Sequence, residues 1–121
     1  MIRQNVAKPD SYEIQGKSQV GNDSRVGEGS IIGDKSSIKR SVIGSNCTIG
    51  NNVKITNCII MDQVKVEDGC RLDNCIIAQK ANLKEKVSLT NCEVCYQIIV
   101  EKELVAKNET FESQENMLLM A

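Results

Sequence analysis

The chain has 121 residues, room for one domain, and is 40% hydrophobic but only 2% aromatic, with no Trp, so a core built on large rings is excluded. A formal net charge of -1 gives no general pull toward nucleic acid or an anionic membrane. No apolar run is long enough to span a bilayer, the Met1-Ile2-Arg3-Gln4 start lacks a signal-peptide core, and the six Cys read as reduced thiols in the cytosol rather than a disulfide framework.

Residues 1–13 show no period, and Pro9-Asp10-Ser11 reads as a lead or linker. Ile14 with Ser18 opens the first turn of a repeat that fills residues 14–100. Its aliphatic column runs Val20, Val26, Ile32, Ile38, Ile43, Ile49, Ile55, Ile60, Val66, Leu72, Ile77, Leu83, Leu89, Val94, Val100. The step is six except after Ile38, Ile55, Leu72 and Leu89, where it is five, so the register returns every seventeen residues from Ile38 on. Self-similarity of this kind outranks local propensity and marks a solenoid.

Within each hexad the fifth residue is small or at least apolar: Ser24, Ser30, Ser36, Cys47, Val53, Val64, Cys70, Ala81, Val87. In the five-residue steps Ser41, Cys58, Cys75 and Cys92 take that role. A large aliphatic and a small residue at this spacing make the hexapeptide repeat, in which three short parallel strands form one triangular coil. Gly21, Gly27, Gly33, Gly44 and Gly50 follow the aliphatic, where the chain is expected to bend without side-chain cost. Each buried aliphatic contributes roughly 1.5–3 kcal/mol. Ordering a coil costs about 1–2 kcal/mol per residue in backbone entropy, so no coil is stable alone and the coils must stack. The expected architecture is all-β, a single-stranded left-handed parallel β-helix of about five coils; the hand comes from resemblance to hexapeptide-repeat proteins and departs from the usual right-handed crossover. Beyond Glu101 the spacing dissolves into a tail, residues 101–121, ending Met117-Leu118-Leu119-Met120 and able to pack on the helix end.

Chemistry has few candidates here. Hexapeptide-repeat enzymes include acyltransferases and zinc carbonic anhydrases, which usually depend on His, and this chain has none. No catalytic residue, cofactor site or metal site is therefore expected. Cys58, Cys75 and Cys92 stack at seventeen-residue intervals, yet all sit in the small-residue slot, where Cys acts as a small hydrophobe. Cys92-Glu93-Val94-Cys95 is a lone CxxC with its two side chains on opposite sides. Gly27-Glu28-Gly29 with Gly33 misses the dinucleotide spacing. The Asn57, Asn74, Asn91 column reads as a structural ladder at turns.

One feature exceeds packing. The residue before each core aliphatic points outward, because side chains alternate along a strand. Two faces are polar there, carrying Ser37, Lys54, Arg71, Ser88 and Thr48, Lys65, Asn82. The third reads Val42, Ile59, Ile76, flanked by Gly44, Met61, Ala78 and Cys95. A flat apolar stripe of this kind marks a contact surface, so Val42, Ile59, Met61, Ile76, Ala78 and Cys95 are the expected partner interface. The alternative cover is the chain's own tail, through Leu118 and Leu119.

At Lys35-Ser36-Ser37-Ile38-Lys39-Arg40-Ser41-Val42-Ile43-Gly44, through Ile55-Thr56-Asn57-Cys58-Ile59-Ile60 and Val64-Lys65-Val66-Glu67-Asp68-Gly69, the chain resembles a narrower group. It is similar to the C-terminal β-helix domain of the gamma subunit of eukaryotic translation initiation factor 2B, from about Lys17 onward. The resemblance implies a nucleotidyltransferase-like domain ahead of the β-helix, which these residues do not contain, so a domain of a longer protein is expected. It also implies a non-catalytic scaffold in a guanine-nucleotide exchange complex. The partners would be the epsilon subunit, the other subunits and, through them, initiation factor 2, with no nucleic acid and no membrane. Self-association of the isolated domain through the same stripe is also expected. Two other readings stay open: another non-enzymatic β-helix subunit, of the dynactin pointed-end or pyrophosphorylase-tail type, and an acyltransferase with a reshaped site.

Overall fold

The computed structural model describes residues 13–112 except Gln15. Residues 1–12 of the unperiodic lead, and Leu118 and Leu119 of the tail, lie outside the described residues, whereas Glu13, the last residue of that lead, is in the first strand. Every regular element is a strand of two or three residues, and consecutive strands pass to three different sheets in turn. The first sheet stacks Glu13–Ile14, Ile31–Ile32, Thr48–Ile49, Lys65–Val66, Asn82–Leu83 and Ile99–Val100. The second stacks Gln19–Val20, Ser37–Lys39, Lys54–Thr56, Arg71–Asp73, Ser88–Thr90 and Val105–Lys107. The third stacks Arg25–Val26, Val42–Ile43, Ile59–Ile60, Ile76–Ile77, Glu93–Val94 and Thr110–Phe111. All pairings are parallel, and the partners Ile43↔Ile60 and Ile60↔Ile77 reproduce the seventeen-residue register. This is a parallel β-helix.

The inward column is dry. Ile32, Ile38, Ile55, Ile77, Leu83 and Val94 are all 0% exposed, and the small-slot residues fill the corners beside them. Where that slot holds Ser, the hydroxyl replaces missing ladder partners. Ser30 Oγ donates to the Gly44 carbonyl at 2.8 Å and accepts from the Cys47 N–H at 3.0 Å. Ser36 repeats this with the Gly50 carbonyl at 2.7 Å and the Val53 N–H at 3.1 Å. These buried hydroxyls are satisfied at both ends, so they cost little to bury.

Strand pairing continues past residue 100, the expected end of the repeat. Leu89 pairs with Ala106 and Val94 with Phe111, each seventeen residues on. A methyl and a ring stand where the column otherwise holds branched aliphatics, which hid the last coil. Each sheet consequently has six strands, against about five coils expected.

The glycines also act differently. None of the five after the aliphatics has positive φ; the positive-φ glycines are Gly16, Gly29 and Gly69. At Gly27 the constraint is close approach: a Cβ would lie 2.6 Å from the Gly44 carbonyl carbon of the next coil. The corners instead bend at left-handed residues of many types, among them Lys35, Arg40, Asn57, Gln63, Asn74 and Glu103.

Candidate functional site

Five of the six cysteines are buried and one, Cys95, is half-exposed. The Cys47 thiol donates to the Met61 carbonyl at 3.0 Å, the same relation that Ser30 makes to Gly44 one coil earlier. Cys70 donates to the Lys84 carbonyl at 2.9 Å, and Cys75 to the Leu89 carbonyl at 3.3 Å. The thiols thus occupy the serine slot as weak donors, and burial pushes Cys47 and Cys70 up from the ordinary thiol value. Contact with the Cys75 thiol, with burial, does the same for Cys58. Thiols raised in this way are inert structural groups, whereas the Cys58 thiol beside Cys75 lowers the Cys75 thiol, which only its burial keeps from reagents. Among the described residues no cluster of three metal-ligating side chains exists. Cys92 lies in the core while Cys95 faces outward, so the CxxC does not converge.

The Asn column is a hydrogen-bonded ladder on the corner between the second and third sheets. Asn74 donates from Nδ2 to Asn91 Oδ1, and Asn91 donates onward to Asn108 Oδ1 at 3.2 Å. All of Asn57, Asn74, Asn91 and Asn108 hold φ of 54° to 58°. A shallow groove runs along this ridge, bounded on its other side by Ile59, Ile76 and Glu93. In its polar wall Asn74, Asn91 and Asn108 are committed to pairing with one another.

The third sheet carries the apolar face. Register pairing lines up Arg25, Val42, Ile59, Ile76, Glu93 and Thr110 as one outward column. Val42, Ile59 and Ile76 are 47%, 48% and 41% exposed, although each neighbours a fully buried aliphatic in its strand. Met61 is exposed beside them, and Ala78 and Cys95 are half-buried in the adjoining column. The structure therefore brings all six expected interface residues to one face. Sequence reasoning passed over the two charges that bracket the apolar part of that column, Arg25 and Glu93, both exposed; the signal was the same one-before-aliphatic position that flagged Val42. It also passed over isolated exposed aliphatics on the other sheets, Ile31, Ile99 and Val105.

No curated protein matches this sequence. Among solved structures, the chain is similar to an H141N mutant of perosamine N-acetyltransferase from Caulobacter crescentus, in complex with CoA and GDP-perosamine. The TM-score is 0.72 at 16% identity, covering 78% of this chain and 47% of that one. It is also similar to the acetyltransferase domain of PglB from Neisseria gonorrhoeae, in complex with acetyl coenzyme A, with a TM-score of 0.46 at 12% identity over 81% of this chain and 55% of that one. The chain thus spans about half the length of these structures, and at 16% identity the likeness to the perosamine N-acetyltransferase is one of fold. A family model described as "EIF2B subunit epsilon LbH domain" matches residues 3–106. Its left-handed β-helix agrees with the three stacked parallel sheets, and the chain belongs to this family of initiation factor 2B β-helix domains.

Proposed function

We propose that the chain is a non-catalytic assembly domain of translation initiation factor 2B, working in the cytosol within the complex that exchanges guanine nucleotide on initiation factor 2. The observation that carries this is the exposed Val42, Ile59, Ile76 stripe on a β-helix of that family. A solvated aliphatic row costs solubility unless another protein covers it. The lack of any His supports a scaffold over the acyl transfer named for the structures of like fold. No helix among the described residues is long and apolar enough to cross a membrane.

Within that complex the strings around Ile38-Lys39-Arg40-Ser41 favour the gamma position, with epsilon as the partner covering the third sheet. The matched family description favours the epsilon position, with gamma as the partner. Mass determination of the purified chain alone, with epsilon and with gamma separates the two. The gamma reading expects a one-to-one complex with epsilon that Ile59→Asp abolishes while sheet content stays unchanged. Capture of gamma instead reverses the assignment, and binding of neither overturns the assembly reading.

A further inference from the structure

The outward column of the third sheet has a charge order that is its own complement. Counted in layers from Ile59, Val42 and Ile76 lie one layer to either side, and Arg25 and Glu93 two layers to either side. With strands about 4.8 Å apart, each charge stands about 10 Å from Ile59, in opposite directions along the prism. Among the described residues neither Arg25 nor Glu93 belongs to an ion pair within the chain, and both are exposed.

We infer that a second copy of this chain packs on the third sheet with its prism axis antiparallel, about a two-fold through Ile59. That rotation carries each layer onto its mirror layer and keeps each column facing itself. Arg25 of one copy then meets Glu93 of the other, twice, and Val42 meets Ile76. In the adjoining column Met61 meets its own copy and Gly44 meets Ala78, so small residues face small ones. The parallel arrangement sets Arg25 against Arg25 and Glu93 against Glu93, which electrostatics penalises. An isologous contact needs one patch complementary to itself, and only the antiparallel order makes it so. Asp62, in the central layer but on the corner beyond Met61, stays at the solvent rim, where its carboxylate accepts from the Ser45 N–H at 2.9 Å.

The face measures about 25 Å by about 12 Å, roughly 300 Å² per copy, against the ~800 Å² per partner of a standard interface. The pairing is accordingly weak, with a dissociation constant in the range of about 0.1–1 mM. The inference rests on reading this face as a contact surface, but it fails separately from the assembly proposal, because it concerns the purified chain alone.

Sedimentation velocity of the chain from about 10 μM to about 1 mM tests it. The expected result is a reversible monomer–dimer equilibrium. Arg25→Glu and Glu93→Arg each weaken it about tenfold or more, since both crossing pairs become repulsive, and the double variant restores it. Circular dichroism confirms that these exposed substitutions leave the sheets intact. A chain that stays monomeric to the top of the range overturns the inference while leaving capture of epsilon or gamma to decide the assembly reading. A dimer that Ile59→Asp breaks but the charge reversals do not affect overturns the antiparallel register.

Discussion

At Asn74 the backbone sits at φ 58°, a left-handed conformation that costs an ordinary residue about 1–2 kcal/mol. Asn reduces that cost, and its side chain donates to the next rung of the ladder at Asn91. Asn74→Ala is expected to lower stability by about 1–2 kcal/mol, and Asn74→Gly by about half as much, because Gly keeps the backbone but not the rung. Urea-unfolding midpoints compare them; equal losses would show that Asn supplies no backbone tolerance there. The cysteines give a second residue-scale expectation. Only Cys95 is half-exposed, and burial, then Glu112 and Glu93, push its thiol above the ordinary value. Because the thiolate reacts, alkylation should be confined to Cys95 in the native state and slow at neutral pH. Its rate should climb with pH up to and beyond the usual thiol range, whereas unfolding should expose all six thiols. Mass spectrometry after a timed iodoacetamide pulse reads this directly, and early labelling of Cys58 or Cys75 would contradict the buried column.

Each strand is so short that a single alternation decides what it does. Ile59 and Ile60 share a strand and a chemistry, yet one is 48% exposed and the other 1%. Ile60→Asp places a carboxylate without a partner inside the dry column, at a cost of about 4 kcal/mol or more. Against a typical stability of about 5–15 kcal/mol, that should melt the coil and its neighbours. Ile59→Asp should leave the circular dichroism spectrum and thermal midpoint nearly unchanged. Comparable loss in both variants would mean that the two side chains are not separated as described. This alternation was legible because aliphatic spacing reports the inward position and its neighbour follows by geometry. Other element-scale features were not legible. Ala106 and Phe111 continue the column with residues too small and too large to recognise, so the last coil was invisible to a search for Ile, Leu and Val. The left-handed corners at Lys35, Arg40 and Glu103 are poor choices by local preference. Stacking imposes them: the Glu103 N–H donates to the Glu85 carbonyl of the previous coil at 2.8 Å, and the Asn57 N–H likewise to Lys39 at 3.1 Å.

The molecule as a whole is a stack in which each coil touches only the one before and the one after. Strand N–H groups reach forward, as from Thr48 to the Val64 carbonyl, while corner N–H groups reach back, as from Gln63 to Ser45. No bond needs to skip a layer. Stability in such a stack is close to a sum of coil and interface contributions, so whole layers should be exchangeable where fractions of a layer are not. Deleting Met61–Ile77 removes one complete seventeen-residue period and joins Ile60 to Ala78 in register. The Thr48 N–H then meets the Ala81 carbonyl instead of Val64, and Ile49 pairs with Leu83 instead of Val66. That variant should fold with five-stranded sheets and a midpoint lower by about 5–10 °C, the loss of one layer's packing. Deleting Met61–Asp68 instead joins Ile60 to Gly69 and brings Leu72 too early, so inward residues fall on corners; it should not fold. The measurement is circular dichroism with thermal melting of both variants. The shortened stack also loses Met61 and Ile76 from the apolar face, so any binding it retains must come through Val42, Ile59, Ala78, Cys95 and the flanking charges. If the full-period variant unfolds as completely as the partial one, the coils are not interchangeable layers, and the seventeen-residue register is not what holds the prism together.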